Sequence, residues 1–118
     1  MKNTASLLDS EGAGVCPLLA PAPGVAHGIV SQAVFTSPGL RLTLFHFAAG
    51  QELSEHTSAA RAFVQVLSGA CEFTFSGEEH ALKAGDLVHL PPGLPHSVRA
   101  VGDLAMLLTQ VSTAGAGK

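Results

Sequence analysis

The chain has 118 residues, a length that suits one domain built around a single hydrophobic core. Hydrophobic residues make up 47% of it and charged residues only 13%, below the usual charged fraction of about 25%, which excludes intrinsic disorder. The net charge is −3 and no run of Lys or Arg exists, so the sequence lacks the basic footprint of a nucleic-acid-binding protein.

The order of residues near the amino terminus bears on the compartment of the protein. Lys2 is followed by Asp9 and Glu11 before any apolar stretch, an order unlike that of a signal peptide. No run of 18 apolar residues exists, so neither a transmembrane helix nor a membrane partner is expected. The two cysteines, Cys16 and Cys71, are too few for a disulfide framework. We therefore expect a cytoplasmic protein.

Composition divides the chain into three parts. Residues 1–24 are small, polar and proline-containing, and are expected to form an arm that packs on the outside of the domain or on a partner subunit. Residues 25–112 are expected to form the barrel domain. Residues 113–118 are mostly Gly and Ala, so a flexible tail is expected there.

Short strands separated by turn residues dominate the middle of the chain. Apolar and polar residues alternate, and Ser, Gly and Pro occupy the junctions, as in β-strands joined by tight turns. The predicted strands are Gly28–Thr36, Leu40–Ala48, Ala62–Leu67, Ala70–Phe75, Glu78–Leu82, Leu87–Leu90, His96–Val101 and Leu104–Val111. No helical period of useful length occurs, so an all-β sandwich or barrel is predicted.

The stretch that ends at His96 contains special residue types at fixed distances from one imidazole. Gly85 suits a turn that enters a strand, and the apolar run Leu87–Leu90 suits a buried strand. Pro91 ends that strand because it has no N–H to donate, and the Pro-Gly pair that follows is a turn dipeptide. The pattern indicates a rigid turn that positions one histidine side chain.

A second histidine follows a glycine at a fixed distance, since five residues separate Gly50 from His56. The two stretches resemble the signature sequences of the cupins, a family of small jelly-roll barrels. The first cupin signature runs Gly, five residues, His, one, His, three or four, Glu, six, Gly. Gly50, His56 and Gly69 fit this signature, whereas Ser58 stands at its second His and Ala62 at its Glu.

The second cupin signature is matched more completely. It runs Gly, five residues, Pro, one, Gly, two, His, three, Asn. Gly85, Pro91, Gly93 and His96 occupy the corresponding positions, and Ala100 replaces the final Asn. The similarity extends over residues 40–111 and is greatest to short single-barrel cupins of the conserved-barrel type.

The resemblance implies an all-β double-stranded β-helix, which is a jelly-roll barrel of the RmlC-like type, with an interior pocket. In cupins with the complete signature, three histidines and one glutamate bind a first-row transition metal inside the barrel. Carried over to this chain, only His56 and His96 remain as ligands for such an ion, which would be divalent Fe, Mn, Ni, Cu or Zn.

Two imidazoles alone make a weak site, because divalent metals usually take three or more protein ligands. Ser58 is expected to line the pocket, and four further residues could line it or complete a ligand set if their side chains point inward. These four are Glu52, Gln65, His46 and His89. His80 follows two glutamates and is interpreted as a solvated surface residue, and His27 as a structural one.

Two functions remain open from the sequence. One is a metal-dependent enzyme with dioxygenase- or isomerase-like chemistry on a small organic molecule. The other is a non-catalytic barrel that binds or senses a small molecule and has a degenerate metal site. Whether the protein is an enzyme is thus left open. Open sheet edges and the high hydrophobic content also predict a homodimer, as the resemblance to small cupins implies.

Overall fold

The computed structural model describes residues 6–18 and 28–112, whose regular secondary structure consists of nine strands. The strands are β1 (Ile29–Ser37), β2 (Leu40–Phe47), β3 (Glu52–His56), β4 (Arg61–Ser68), β5 (Ala70–Phe75), β6 (Glu78–Lys83), β7 (Leu87–Leu90), β8 (His96–Ala100) and β9 (Leu104–Val111). His27, the predicted tail and part of the predicted arm lie outside the described residues. Within them, no helix has the length and apolar character that a membrane crossing needs.

The nine strands form two antiparallel sheets that pack against each other through their apolar faces. One sheet has five strands in the order β1-β2-β9-β4-β7, and the other has four in the order β3-β8-β5-β6. Strands that are distant in sequence are neighbours, such as β2 with β9 and β3 with β8, so the chain wraps as a jelly roll. The predicted all-β jelly-roll barrel is confirmed.

Alternate side chains from both sheets fill the space between them, because successive residues of a strand point to opposite faces. The buried members of this core are Phe47, Ala62, Val64, Val66, Cys71, Phe73, Val88, Leu90, Val98, Ala100, Leu104 and Met106. Burial, together with the nearby carboxylates of Asp86 and Glu72, raises the pKa of the Cys71 thiol to about 11. Cys71 therefore stays neutral and acts as a small apolar side chain.

The outer face of the five-stranded sheet carries a second apolar cluster. Val34, Leu44 and Leu107 are buried there because residues 6–18 pack on this face. The backbone N–H of Leu8 donates to the carbonyl oxygen of Val34 at 2.8 Å, which joins this segment to β1. The five-stranded sheet thus has apolar side chains on both faces, which explains why β2 carries apolar residues at both strand parities.

The observed strands follow the predicted ones closely, with one exception. Three strands have the predicted bounds, and five others differ by one residue at one or both ends. The prediction missed β3, because its side chains are mostly exposed and show no apolar alternation. The missed strand is the one that carries His56, so the sequence pattern was weakest at the candidate site.

Replacement of Gly69 by Ala is expected to destabilise the protein strongly. Gly69 lies between β4 and β5 with a φ of +84°, and a Cβ built on it would lie 2.1 Å from the carbonyl oxygen of Asp103. The left-handed conformation alone costs about 1–2 kcal/mol, and the backbone contact adds to it. Gly77→Ala is the control, because Gly77 has a φ of +75° but open space around it. Denaturant unfolding should show the larger loss for G69A, and equal losses would contradict this account.

Candidate functional site

The two signature stretches lie side by side because β3 pairs with β8. Leu53 lies opposite Val98 and His56 opposite His96, so three steps along β3 match two along β8. This extra residue is a β-bulge, and it turns the His56 side chain to the same face as His96. The centroids of the two imidazole rings are 4.3 Å apart and their planes meet at 64°. The structure brings the two predicted residues together in one site.

The turn before His96 is held by the loop that follows His56. The backbone N–H of Gly93 donates to the carbonyl oxygen of Ser58 at 2.8 Å. The side-chain Nε2 of Gln110 on β9 donates to Oγ of Ser58 at 3.4 Å. Ser58, at the family's second histidine position, is thus part-buried and links the two signature stretches to the five-stranded sheet.

Both imidazoles are fixed in the same tautomer by backbone carbonyl groups. Nδ1 of His56 lies 2.7 Å from the carbonyl oxygen of Ser54, and Nδ1 of His96 lies 2.9 Å from that of Leu94. A carbonyl oxygen only accepts hydrogen bonds, so each Nδ1 carries the hydrogen and donates it. In the neutral rings, each Nε2 is therefore left as a hydrogen-bond acceptor or a metal ligand.

Burial keeps one member of the pair neutral. His96 is only 9% exposed, whereas His56 is exposed. Burial lowers the pKa of His96 below its ordinary value of 6.5, the Leu94 carbonyl raises it, and the charge on a protonated His56 lowers it again, with a net lowering. At neutral pH, His96 is therefore a neutral imidazole with a free Nε2 acceptor.

Aromatic rings extend the site from His96 along the inner face of the four-stranded sheet. The rings of Phe73 and His96 stack with centroids 6.0 Å apart, and those of Phe75 and His80 stack at 4.5 Å. Phe75 lies opposite His96 and Phe73 lies opposite His80, so all four side chains share one face. The imidazole pair thus adjoins a group of aromatic side chains, of which Phe73 is buried and Phe75 is partly exposed.

The structure corrects the interpretation of His80 as a solvated surface residue. Its side chain is 37% exposed, and its buried Nε2 lies 4.0 Å from Oε1 of Glu78 with no hydrogen-bond partner in the described structure. The sequence contained a signal for this position. Counting outward from the two-residue turn at Ser76 and Gly77 places His80 opposite the core residue Phe73.

Two of the other predicted pocket residues lie on the outer face of the five-stranded sheet. His46 shares its face with Leu44, which belongs to the outer apolar cluster. Gln65 is exposed and lies between Val64 and Val66, whose side chains point into the core. Strand alternation therefore turns His46 and Gln65 away from the imidazole pair.

The remaining two predicted pocket residues also point outward. Nη1 of Arg61 donates to Nε2 of His89 at 2.7 Å on the outer face of the five-stranded sheet, and the ring of Phe63 lies 5.1 Å from that of His89. Glu52 lies opposite Arg99 and lines a groove on the outer face of the four-stranded sheet. The structure therefore groups neither His89 nor Glu52 with His56 and His96.

The donor set at the pair is too small for a resident divalent metal. In residues 6–18 and 28–112, no group of three or more His, Cys, Asp or Glu side chains could hold a metal ion. Catalytic zinc takes three protein ligands and structural zinc takes four. Ser58 and Ala62 stand at the positions of the family's other two ligands, so His56 and His96 do not fit the metal that the resemblance implies.

The fold is a jelly-roll barrel in which two paired signature stretches each contribute one histidine. These features are typical of small β-barrels with an interior site. The chain belongs to the cupin family, because the family described as Cupin domain matches residues 43–112, more than half of the chain. The prediction from the two signature stretches is confirmed. Comparison with curated proteins finds no match.

Several solved structures are similar to this chain over most of their length. An RmlC-like cupin from Desulfovibrio desulfuricans is 28% identical, with a TM-score of 0.77 over 85% of this chain and 97% of that one. A conserved protein of unknown function from Streptococcus pyogenes is also 28% identical, with a TM-score of 0.75 over 94% and 97%. A putative mannose-6-phosphate isomerase from Ralstonia eutropha is 21% identical, with a TM-score of 0.76 over 85% and 99%, which shows a shared fold.

Acidification is expected to destabilise the protein through His96. The unfolded chain takes up a proton at this residue near the ordinary pKa of 6.5, whereas the folded protein does so only at lower pH. The free energy of unfolding should therefore fall as the pH decreases below 6.5, and this loss should end below the lowered pKa of the folded state.

The variant His96→Asn isolates this contribution, because Asn keeps a donor for the Leu94 carbonyl and does not titrate. Denaturant unfolding at about pH 7.5 and about pH 5 should show a smaller loss of stability for H96N than for the parent protein. Equal losses of stability in H96N and the parent protein would show that titratable groups other than His96 cause the destabilisation by acid.

Proposed function

We propose that this cupin binds a small organic molecule inside the barrel at His56 and His96, and that it does so without a resident metal. The fixed tautomer of the two rings carries this proposal, because it leaves two Nε2 acceptors on adjacent imidazoles. The described residues do not provide three His, Cys, Asp or Glu ligands for a metal ion, which supports binding without a resident metal.

Two Nε2 acceptors select a ligand that can donate hydrogen bonds, such as one with a hydroxyl or an amide N–H group. Phe75 lies opposite His96 and is only partly buried, so its ring provides apolar surface beside these acceptors, which suits the carbon skeleton of such a ligand. Each hydrogen bond contributes about 0.5–1.5 kcal/mol, so the acceptors provide specificity while the ring of Phe75 provides apolar contact.

A metal-dependent enzyme with dioxygenase- or isomerase-like chemistry is the second candidate. The bonds from Nδ1 to backbone carbonyls favour it, because the same bonds orient histidines that bind metals through Nε2. Iron, manganese, nickel, copper or zinc at this pair would need further ligands from water or substrate. The binding barrel is preferred because it requires no groups beyond those present.

Ligand stabilisation should depend on His56 and not on metal. Thermal unfolding in the presence of a chelator, with a panel of small phenols, alcohols and hydroxy acids, should identify compounds that raise the Tm. His56→Ala should reduce this shift because it removes one acceptor, and the exposed position of His56 makes the change tolerable for the fold. His46→Ala removes an imidazole from the outer face instead and should leave the shift unchanged.

The metal-dependent alternative predicts a different result in the same assay. A Tm shift that requires added metal and disappears with the chelator would reject the metal-free site, as would stoichiometric metal in the purified protein. Equal loss of the shift in H56A and H46A would show that the imidazole pair is not the binding site.

We also propose that the protein is a cytoplasmic homodimer. In the described part of the chain, β7 lies at the edge of the five-stranded sheet, and its outward Leu87 is 65% exposed. An apolar side chain on an open edge favours coverage by a second copy. Light scattering at micromolar concentration should give a dimer mass, and Leu87→Glu should shift it towards the monomer, unlike the control Val15→Glu. A monomeric parent protein would contradict the proposal.

A further inference from the structure

One end of the barrel contains both the imidazole pair and a separate cleft. β3 ends at His56 and β8 begins at His96, whereas β2 begins at Leu40 and β9 ends at Val111. Residues 57–60 connect His56 to β4, whose first residue lies opposite Val111. The imidazoles and the ends of β2 and β9 therefore lie at the same end of the barrel.

The cleft at this end has a volume of about 230 Å³ and a lining that is partly polar and partly apolar. The described residues that line it include the polar residues Ser37, Gln110 and Ser112, and Arg41 is the single charged residue among them. None of the described residues that line the cleft carries a carboxylate, although the whole chain has a net charge of −3. The cleft is thus locally positive in a protein that is negative overall.

Arg41 differs from the other two arginines of the chain in having no side-chain partner among the described residues. Arg61 donates to His89, and Arg99 pairs with Glu72. Within residues 6–18 and 28–112, the side chain of Arg41 makes neither a hydrogen bond nor an ion pair. A guanidinium stays charged at all physiological pH values and presents paired donors that match a carboxylate or a phosphate. Arg41 is therefore available to an anion.

The cleft is connected to the imidazole pair through polar contacts. Arg41 lies opposite Gln110 in the register of β2 and β9. The amide of Gln110 donates to Ser58, whose carbonyl oxygen accepts from Gly93 in the turn before His96. Arg41 also has the strand parity of Phe45, which packs against the barrel core. These contacts favour one composite site over two independent ones.

We propose that the cleft is an anion subsite, so that the ligand of the barrel is a small organic acid. Its carboxylate or phosphate group binds Arg41, with a hydrogen bond from Gln110, which lies opposite Arg41. A hydroxyl or N–H group elsewhere on the ligand donates to Nε2 of His56 or His96. This second contact rests on the proposed function, whereas the anion subsite rests on the cleft.

Calorimetric titration with matched acids and neutral compounds tests the subsite. The carboxylate probes are para-hydroxybenzoate and glycerate, the phosphate probe is glycerol phosphate, and the neutral counterparts are para-hydroxybenzamide and glycerol. Acids should bind more tightly than their neutral counterparts. Arg41→Gln should weaken acid binding by about 10- to 100-fold, the range for a hydrogen bond to a charged group, and leave neutral compounds unaffected.

The variant Arg61→Gln is the matched control, since it removes the same charge from the outer face of the same barrel end. It should bind every probe as the parent protein does. Both arginines are exposed, so both variants should fold, and their unfolding midpoints check this. Comparison of the carboxylate and phosphate probes identifies the anionic group that Arg41 prefers.

The variant His56→Ala tests the proposed function independently of the anion subsite. It should weaken acids and neutral compounds alike. If R41Q binds acids as the parent does while H56A binds all probes weakly, the anion subsite is wrong and the proposed function stands. If R41Q loses acid binding and H56A does not change, the subsite stands and the proposed function fails. No binding of any probe would overturn both.

Discussion

The pairing of β3 with β8 is the constraint on which the site depends. β3 buries few of its side chains, so the hydrophobic effect contributes little to its position, and backbone hydrogen bonds must set it. At its start, the N–H of Gly50 donates to the carbonyl oxygen of Ala100, and the N–H of Ala100 donates to that of Gln51. The bulge before His56 then supplies the one-residue shift without which His56 would point to the outer face.

The backbone also determines the chemistry of the pair. Two carbonyl groups near the rings hold Nδ1 as the donor, so the tautomer does not depend on a neighbouring acidic side chain. A carboxylate in that role would raise the pKa of each ring and favour the charged form. Carbonyl groups leave burial as the larger influence on His96, which keeps that ring neutral. The pair is therefore suited to accept hydrogen bonds.

The sequence predicted the parts of the site that depend on special residues and missed those that depend on register. The glycine and proline spacing around His96 was sufficient to place it on a strand after a turn. By contrast, no local pattern distinguishes the face of His46 from that of His96, because β2 carries apolar residues on both faces. No local sequence pattern pointed to Arg41 either, because its proposed role depends on strand ends that meet only in the folded barrel.

The two replaced signature positions have a physical consequence for the kind of ligand. A glutamate at position 62 would place a carboxylate within the barrel core, and its charge would need a cation or another partner to offset the cost of burial. Ala62 is buried and removes that charge. An organic acid that approaches the imidazole pair then meets no like-charged carboxylate from this position, whereas a glutamate without metal would repel it. The loss of metal ligands and the proposed binding of an anionic molecule are thus consistent with each other.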